Sequence, residues 1–217
     1  MLPFTSTQFF AVFSEYNIAV APAQVVLLAV AVAIIAAGRW RPVAMWPGLA
    51  LGVLWIWMGV VYHVTFFAPI NPAAYAFALA FVVQGMSLAL LAAQGALRFA
   101  IPRDPLPRWT GAALLVYALV AYPLIGYAAG QRYPQLPTFG VPCPTVIFTF
   151  GMLAWTVTPV SPFALVIPVL WAMIASTAAM QMGVVQDWAL PLAAAVLLAL
   201  RIGRRVESAE LAVRDAA

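Results

Sequence analysis

Apolar runs of roughly 17 to 25 residues, separated by short clusters of arginine and proline, repeat along this chain without any period-two alternation. That length matches a helix crossing a hydrocarbon layer about 30 Å thick, and the missing alternation argues against barrel strands. The pattern predicts seven spans. The first runs over about Pro22 to Gly38, the second over Val43 to Phe67, the third over Ala73 to Leu97 and the fourth over Trp109 to Ala129. The fifth begins at Pro142 and ends near Thr158, the sixth comes after the Pro159-Val-Ser-Pro162 turn and reaches about Val184, and the seventh runs from Trp188 to Leu200. Residues 1–16 read as an interfacial amphipathic segment, 17–205 as the membrane domain and 206–217 as a short cytoplasmic tail.

Local signals sharpen several boundaries. Thr5 and Gln8 stand at capping-box spacing ahead of Phe9, Phe10 and Phe13, which share one face of a short helix suited to lying along the membrane surface. Pro142 and Pro144 lack amide hydrogens and fix φ, so they fit the first turn of a helix and place Cys143 at its mouth. Pro123 falls inside the fourth span and predicts a kink. Arg39-Trp-Arg-Pro42 reads as a basic, aromatic interfacial anchor. A faint internal echo adds a further expectation: Val53-Leu-Trp55 recurs as Val169-Leu-Trp171, and Pro22 and Pro142 head corresponding spans. Such an arrangement would be a 3+1+3 parallel repeat of the kind found in some transporters.

Composition strengthens the membrane reading. Of 217 residues, 66% are hydrophobic and 7% charged, against about 25% charged in a soluble domain. Lipid offers no partner for a free backbone amide, which leaves helices as the spanning structure for these runs. The formal charge of +4 therefore marks cytoplasmic loops and is not read as a nucleic-acid surface. Arginines gather after the first, third and last spans, while Arg132 stands alone on the other side. By the positive-inside rule the N-terminus is outside and the C-terminus inside. The first residues carry no Lys or Arg, so the N-terminus is read as retained.

With that topology the polar residues within the spans fall mainly in the outer half, as an outward-facing cavity would require. His63, Gln84, Tyr122, Cys143 and Gln181 are the candidate substrate-binding residues, and Gln24, Thr145, Ser176 and Asp187 share their depth. The function this suggests is a small-solute or ion transporter or binder. The alternatives are a non-catalytic membrane subunit or sensor that meets a protein partner through the outer loop Gly130 to Pro144, and a thiol or soft-metal site at Cys143, with His63 as its companion. Small and polar residues on helix faces, such as Gly52 and Gly59 or Gln84 and Ser87, are read first as packing. One cysteine forms no internal disulfide, and no H-E-x-x-H or G-x-S-x-G motif is present, so no catalytic residue is assigned. Bis-histidine haem needs two histidines and a retinal Schiff base needs a lysine; the chain has one histidine and no lysine, and no cofactor is assigned.

Four segments, Gln8-Phe-Phe-Ala-Val-Phe13, Phe67-Ala-Pro-Ile-Asn-Pro72, Tyr122-Pro-Leu-Ile-Gly126 and Phe139-Gly-Val-Pro-Cys-Pro-Thr145, together resemble a family of bacterial multi-pass membrane proteins known as domain of unknown function 6064. The resemblance covers residues 1 to about 200. It implies a seven-span protein of the bacterial inner membrane and carries no activity, substrate, cofactor or site residue with it.

Overall fold

A computed structural model of the chain describes residues 2–38 and 45–215, with side chains up to Arg204 in the last helix. The anchor Arg39 to Pro42 and the start of the second span at Val43 lie outside the described residues. Among the described residues the fold is built on eight helices: α1 Ser6–Ala19, α2 Ala21–Ala37, α3 Met45–Phe67, α4 Ala74–Ala93, α5 Pro105–Ala128, α6 Pro142–Ala154, α7 Val166–Met182 and α8 Ala189–Asp215. Among the same residues β pairing is limited to two isolated bridges.

Five of the described helices are long and apolar enough to cross a membrane: α3, α4, α5, and α7 and α8 with the short turns that lead into them. A sixth crossing is added if α1 and α2, which meet at 86°, form one broken span. Leu79, Val83, Met86, Leu90, Leu170 and Met173 stand exposed on outer faces, as side chains do that meet lipid in place of water. The chain thus has the build of a multi-pass membrane protein.

The predicted fifth span differs most from its expectation. It starts at Pro142 as the prolines require, with Val141 extended at φ −90° and ψ 163°, but it ends at Ala154 after 13 residues. At 1.5 Å per residue that is about 20 Å, short of the ~30 Å hydrocarbon layer. Every residue of α6 except Cys143 is buried. It is the central post of the bundle. Thr149 accepts a hydrogen bond from the Trp55 indole at 2.9 Å and donates its own to the Thr145 carbonyl at 2.8 Å, so the post is polar-pinned from within. By contrast α2, its counterpart in the proposed repeat, turns much of its surface outward.

Two helices carry π-helical segments. In α3 the segment spans Met58–Phe67, and in α5 it spans Tyr117–Ala121, two residues before Pro123. The proline ring would clash with a carbonyl one turn back and has no amide to donate, and a wider turn relieves both conflicts. The disturbance expected at Pro123 is therefore a π turn within a continuous α5. At the C-terminus α8 continues past its membrane-length segment and ends at Asp215.

The two ends of the bundle differ in charge. At one end the Arg98 amide donates to the Thr158 hydroxyl, the Ile101 amide bonds to Gly38, the Trp155 indole donates to the Arg108 carbonyl, and Arg201 donates to the Val160 carbonyl. At the opposite end α1 crosses the bundle. Its capping box is formed as predicted, with the Gln8 side chain accepting from the Thr5 amide at 2.8 Å. The buried Asn17 side-chain amide donates to the carbonyls of Pro134 and Leu136 at 2.7 and 2.8 Å, and the Tyr16 hydroxyl donates to the Gly140 carbonyl at 2.8 Å. The loop between α5 and α6 is thereby fastened to α1.

Candidate functional site

Beneath α1, at the end away from the arginine cluster, lies a cavity of about 110 Å³. At roughly 30 Å³ per water it has room for three or four water-sized groups. Its aromatic wall is formed by Phe4, Phe9, Phe13, Phe67, Phe77 and Trp171, and its polar wall by Tyr62, Asn71, Tyr122, Cys143 and Asp187. Five separate elements supply those polar groups, so the site exists only in the folded bundle.

Local structure sets each of them. Tyr62 lies in the π segment of α3, and Tyr122 comes immediately after the π segment of α5. Such widened turns shift the helical phase of the succeeding residues and recur at functional positions. Cys143 is held between two prolines at the first turn of α6, and it alone on that helix reaches open space. Gly183, with φ +72°, ends α7 in the left-handed region, and the chain re-enters through a single 3-10 turn, Val185–Trp188. That re-entry carries Asp187 inward.

Asp187 is the centre of the arrangement. It is 4% exposed, and the Tyr122 hydroxyl donates to its Oδ1 at 2.5 Å. The Cys143 thiol faces the same carboxylate, with the Trp171 indole beside it. No arginine or histidine among the described residues forms an ion pair with it. A buried carboxylate without a counter-charge is expensive unless a proton or a cation accompanies it. The Tyr62 hydroxyl, on the cavity wall, also has no hydrogen-bond partner among the described residues.

His63 stands behind this wall. Its Nδ1 is 2.8 Å from the Met58 carbonyl, which can only accept, so Nδ1 carries the hydrogen and Nε2 is left as an acceptor. Nε2 is buried without a partner, and so is the Trp171 Nε1–H; the two rings meet edge to face with centroids 5.2 Å apart. Trp171 thus separates His63 from Cys143, which does not favour the two as a reacting pair. Among the described residues no group of three or more His, Cys, Asp or Glu side chains is placed to hold a metal ion.

The five candidates named from sequence therefore separate. Tyr122 and Cys143 line the cavity, and His63 backs it. Gln84 is buried elsewhere in the core, where its Nε2 donates to the Ala164 carbonyl at 3.2 Å. Gln181 is exposed and bonds weakly to its own helix at Thr177. It is not one of the residues that line the cavity, although Thr177 and Ala178, one turn earlier on α7, are. Sequence reasoning placed Asp187 in the last outer turn but left it out of the site, and it did not name Tyr62, Asn71 or Trp171 as site residues. A signal for Asp187 was available, since it is the sole acidic residue between Asp104 and Glu207.

No curated protein and no solved structure matches the chain. The family described as "Family of unknown function (DUF6064)" matches residues 6–210. The resemblance carried by the Phe139-to-Thr145 segment and its three companions thus extends over most of the sequence, and the chain belongs to the DUF6064 family.

Proposed function

We propose that this chain is a membrane protein that takes up or binds a small solute or ion in the cavity beneath α1, entered from the extracytoplasmic side. The observation that carries the reading is the buried Asp187, bonded to Tyr122 and otherwise turned towards a space with room for only a few atoms. Side assignment rests on charge: Arg98, Arg103, Arg108, Arg201 and Arg204 belong to loops and helix ends that meet at the opposite end, which supports a cytoplasmic side for that end by the positive-inside rule. The same rule gives seven crossings only if the enclosed α6 counts as one of them, alongside α2.

The alternative role, a subunit that recruits a partner through the outer loop, has less support. The loop's polar groups are engaged inwardly, with Asn17, Tyr16 and Gln24 of α1 and α2 holding Pro134, Leu136, Thr138 and Gly140.

Cys143 gives the test, because it is the one thiol and it opens on the cavity. The purified full chain in nanodiscs is treated with methyl methanethiosulfonate, a small neutral thiol reagent, and modification is followed by intact mass. The reading expects modification in the folded protein and slower modification in the presence of at least one small solute from a panel of neutral, anionic and cationic compounds. A thiol that stays unmodified until the protein unfolds, together with no solute-dependent change in thermal stability, would refute it.

A further inference from the structure

The geometry points to a small protonated amine, of the size of ammonium or methylammonium, as the ligand of this cavity, with Asp187 as its counter-charge. The inference rests on the small-solute reading and narrows it to one chemical class.

Three features converge. Asp187 is a buried acid with one hydroxyl donor, Tyr122, and no cationic side chain in contact among the described residues. Taking a charge out of water is tolerated when an opposite charge meets it in good geometry, and here the structure supplies only half of such a pair. A cation in the cavity would complete it. The aromatic wall, with Phe77 and Trp171, borders the same space, and aromatic rings attract a cation, most strongly once it is desolvated. The Tyr62 hydroxyl, free of protein partners among the described residues, is placed to accept a second N–H. An anion would meet a carboxylate and aromatic rings, and a neutral solute would leave the carboxylate without its counter-charge.

Size adds selectivity. A cavity of about 110 Å³ suits a cation of the size of methylammonium better than one as bulky as tetraethylammonium. The amine could be free in solution or be the ammonium head of a phospholipid, and both share the same recognition chemistry.

The test uses the full chain in phosphatidylglycerol nanodiscs. Cys143 is labelled in parallel with the cationic, neutral and anionic methanethiosulfonates, each rate being normalised to that with a free thiol. Fields focused in a cleft raise local counter-ion encounter by factors of about 10 or more, so the cationic reagent is expected to exceed the anionic one by at least roughly tenfold. Methylammonium chloride should protect Cys143 where methanol and formate do not, and tetraethylammonium should fail. Asp187→Asn should collapse the order of the three reagents; if that variant does not fold, the order in the wild type and the protection pattern decide alone. Protection by methylammonium that vanishes when phosphatidylethanolamine is added to the discs identifies the lipid head as the occupant, and protection that persists identifies free amine. A flat or reversed charge order, or methylammonium no better than methanol, overturns the amine inference. If in that case a neutral or anionic solute still protects Cys143, the small-solute reading survives without it; if no reagent reaches the thiol, that reading falls first.

Discussion

The α3–α4 crossing offers the cleanest quantitative check, because glycine backbones touch there and the consequence of one added carbon can be worked out. A Cβ built on Gly52 would lie 2.6 Å from the Gly85 carbonyl oxygen and 3.3 Å from the Ala89 Cβ. Ordinary contact begins near 3.4 Å, so the two helices would have to separate locally by about 0.8 Å. The obstacle is backbone, which cannot rotate away as a side chain would. Overpacking of this kind typically costs about 1–3 kcal/mol, while replacing helical glycine by alanine returns up to about 1 kcal/mol of helix propensity. The difference is about 0–2 kcal/mol, and because the obstacle is backbone Gly52→Ala should fall at its upper end, a loss of about 2 kcal/mol. Lipid tails give helices no hydrophobic reason to associate, so the close approach itself holds this pair together. Gly203→Ala is the control: nothing lies within 4 Å of its Cβ position, and it should be neutral or stabilising by up to about 1 kcal/mol. Unfolding by steric trapping in bicelles reads both. Gly52→Ala as stable as wild type, with Gly203→Ala behaving as expected, would refute the packing argument.

Three further outcomes are expected. Tyr122→Phe and Asp187→Asn should be non-additive in unfolding free energy, with a coupling of about 1.5–3 kcal/mol, the range for a hydrogen bond to a charged group; additive effects would remove Asp187 as Tyr122's partner. Asn17→Ala, which strands the Pro134 and Leu136 carbonyls, should cost about 1–3 kcal/mol and raise hydrogen exchange across residues 135–141 before any change in α3 or α4, whereas uniform exchange would show that the α1 latch is not local. A reporter fused at the C-terminus should be active only in its cytoplasmic form, and extracytoplasmic activity would invert the assignment of the cavity to the outer face.

Much of the architecture was legible because lipid and proline act locally. A chain with so few charges must satisfy its amides internally, which forces helices wherever the apolar runs lie. Pro142 and Pro144 fixed the start of α6, Thr5 and Gln8 the start of α1, and Pro123 the position of the disturbance in α5. The arginine asymmetry likewise reappears as one basic end of the bundle.

What tertiary structure alone decided is which faces meet. Tyr122 and Asp187 are 65 residues apart and Trp55 and Thr149 are 94 apart, and no periodicity within either segment encodes the pairing. Depth in the membrane grouped Gln181 with Cys143, yet Gln181 is exposed and bonds to its own helix, outside the cavity lining. Length and apolarity could not reveal that α6 is a short, enclosed post, because a buried helix and a lipid-facing one are equally apolar. The sequence therefore determined the material and the ends of the helices, through rules that act over a few residues, and packing over long separations determined the cavity.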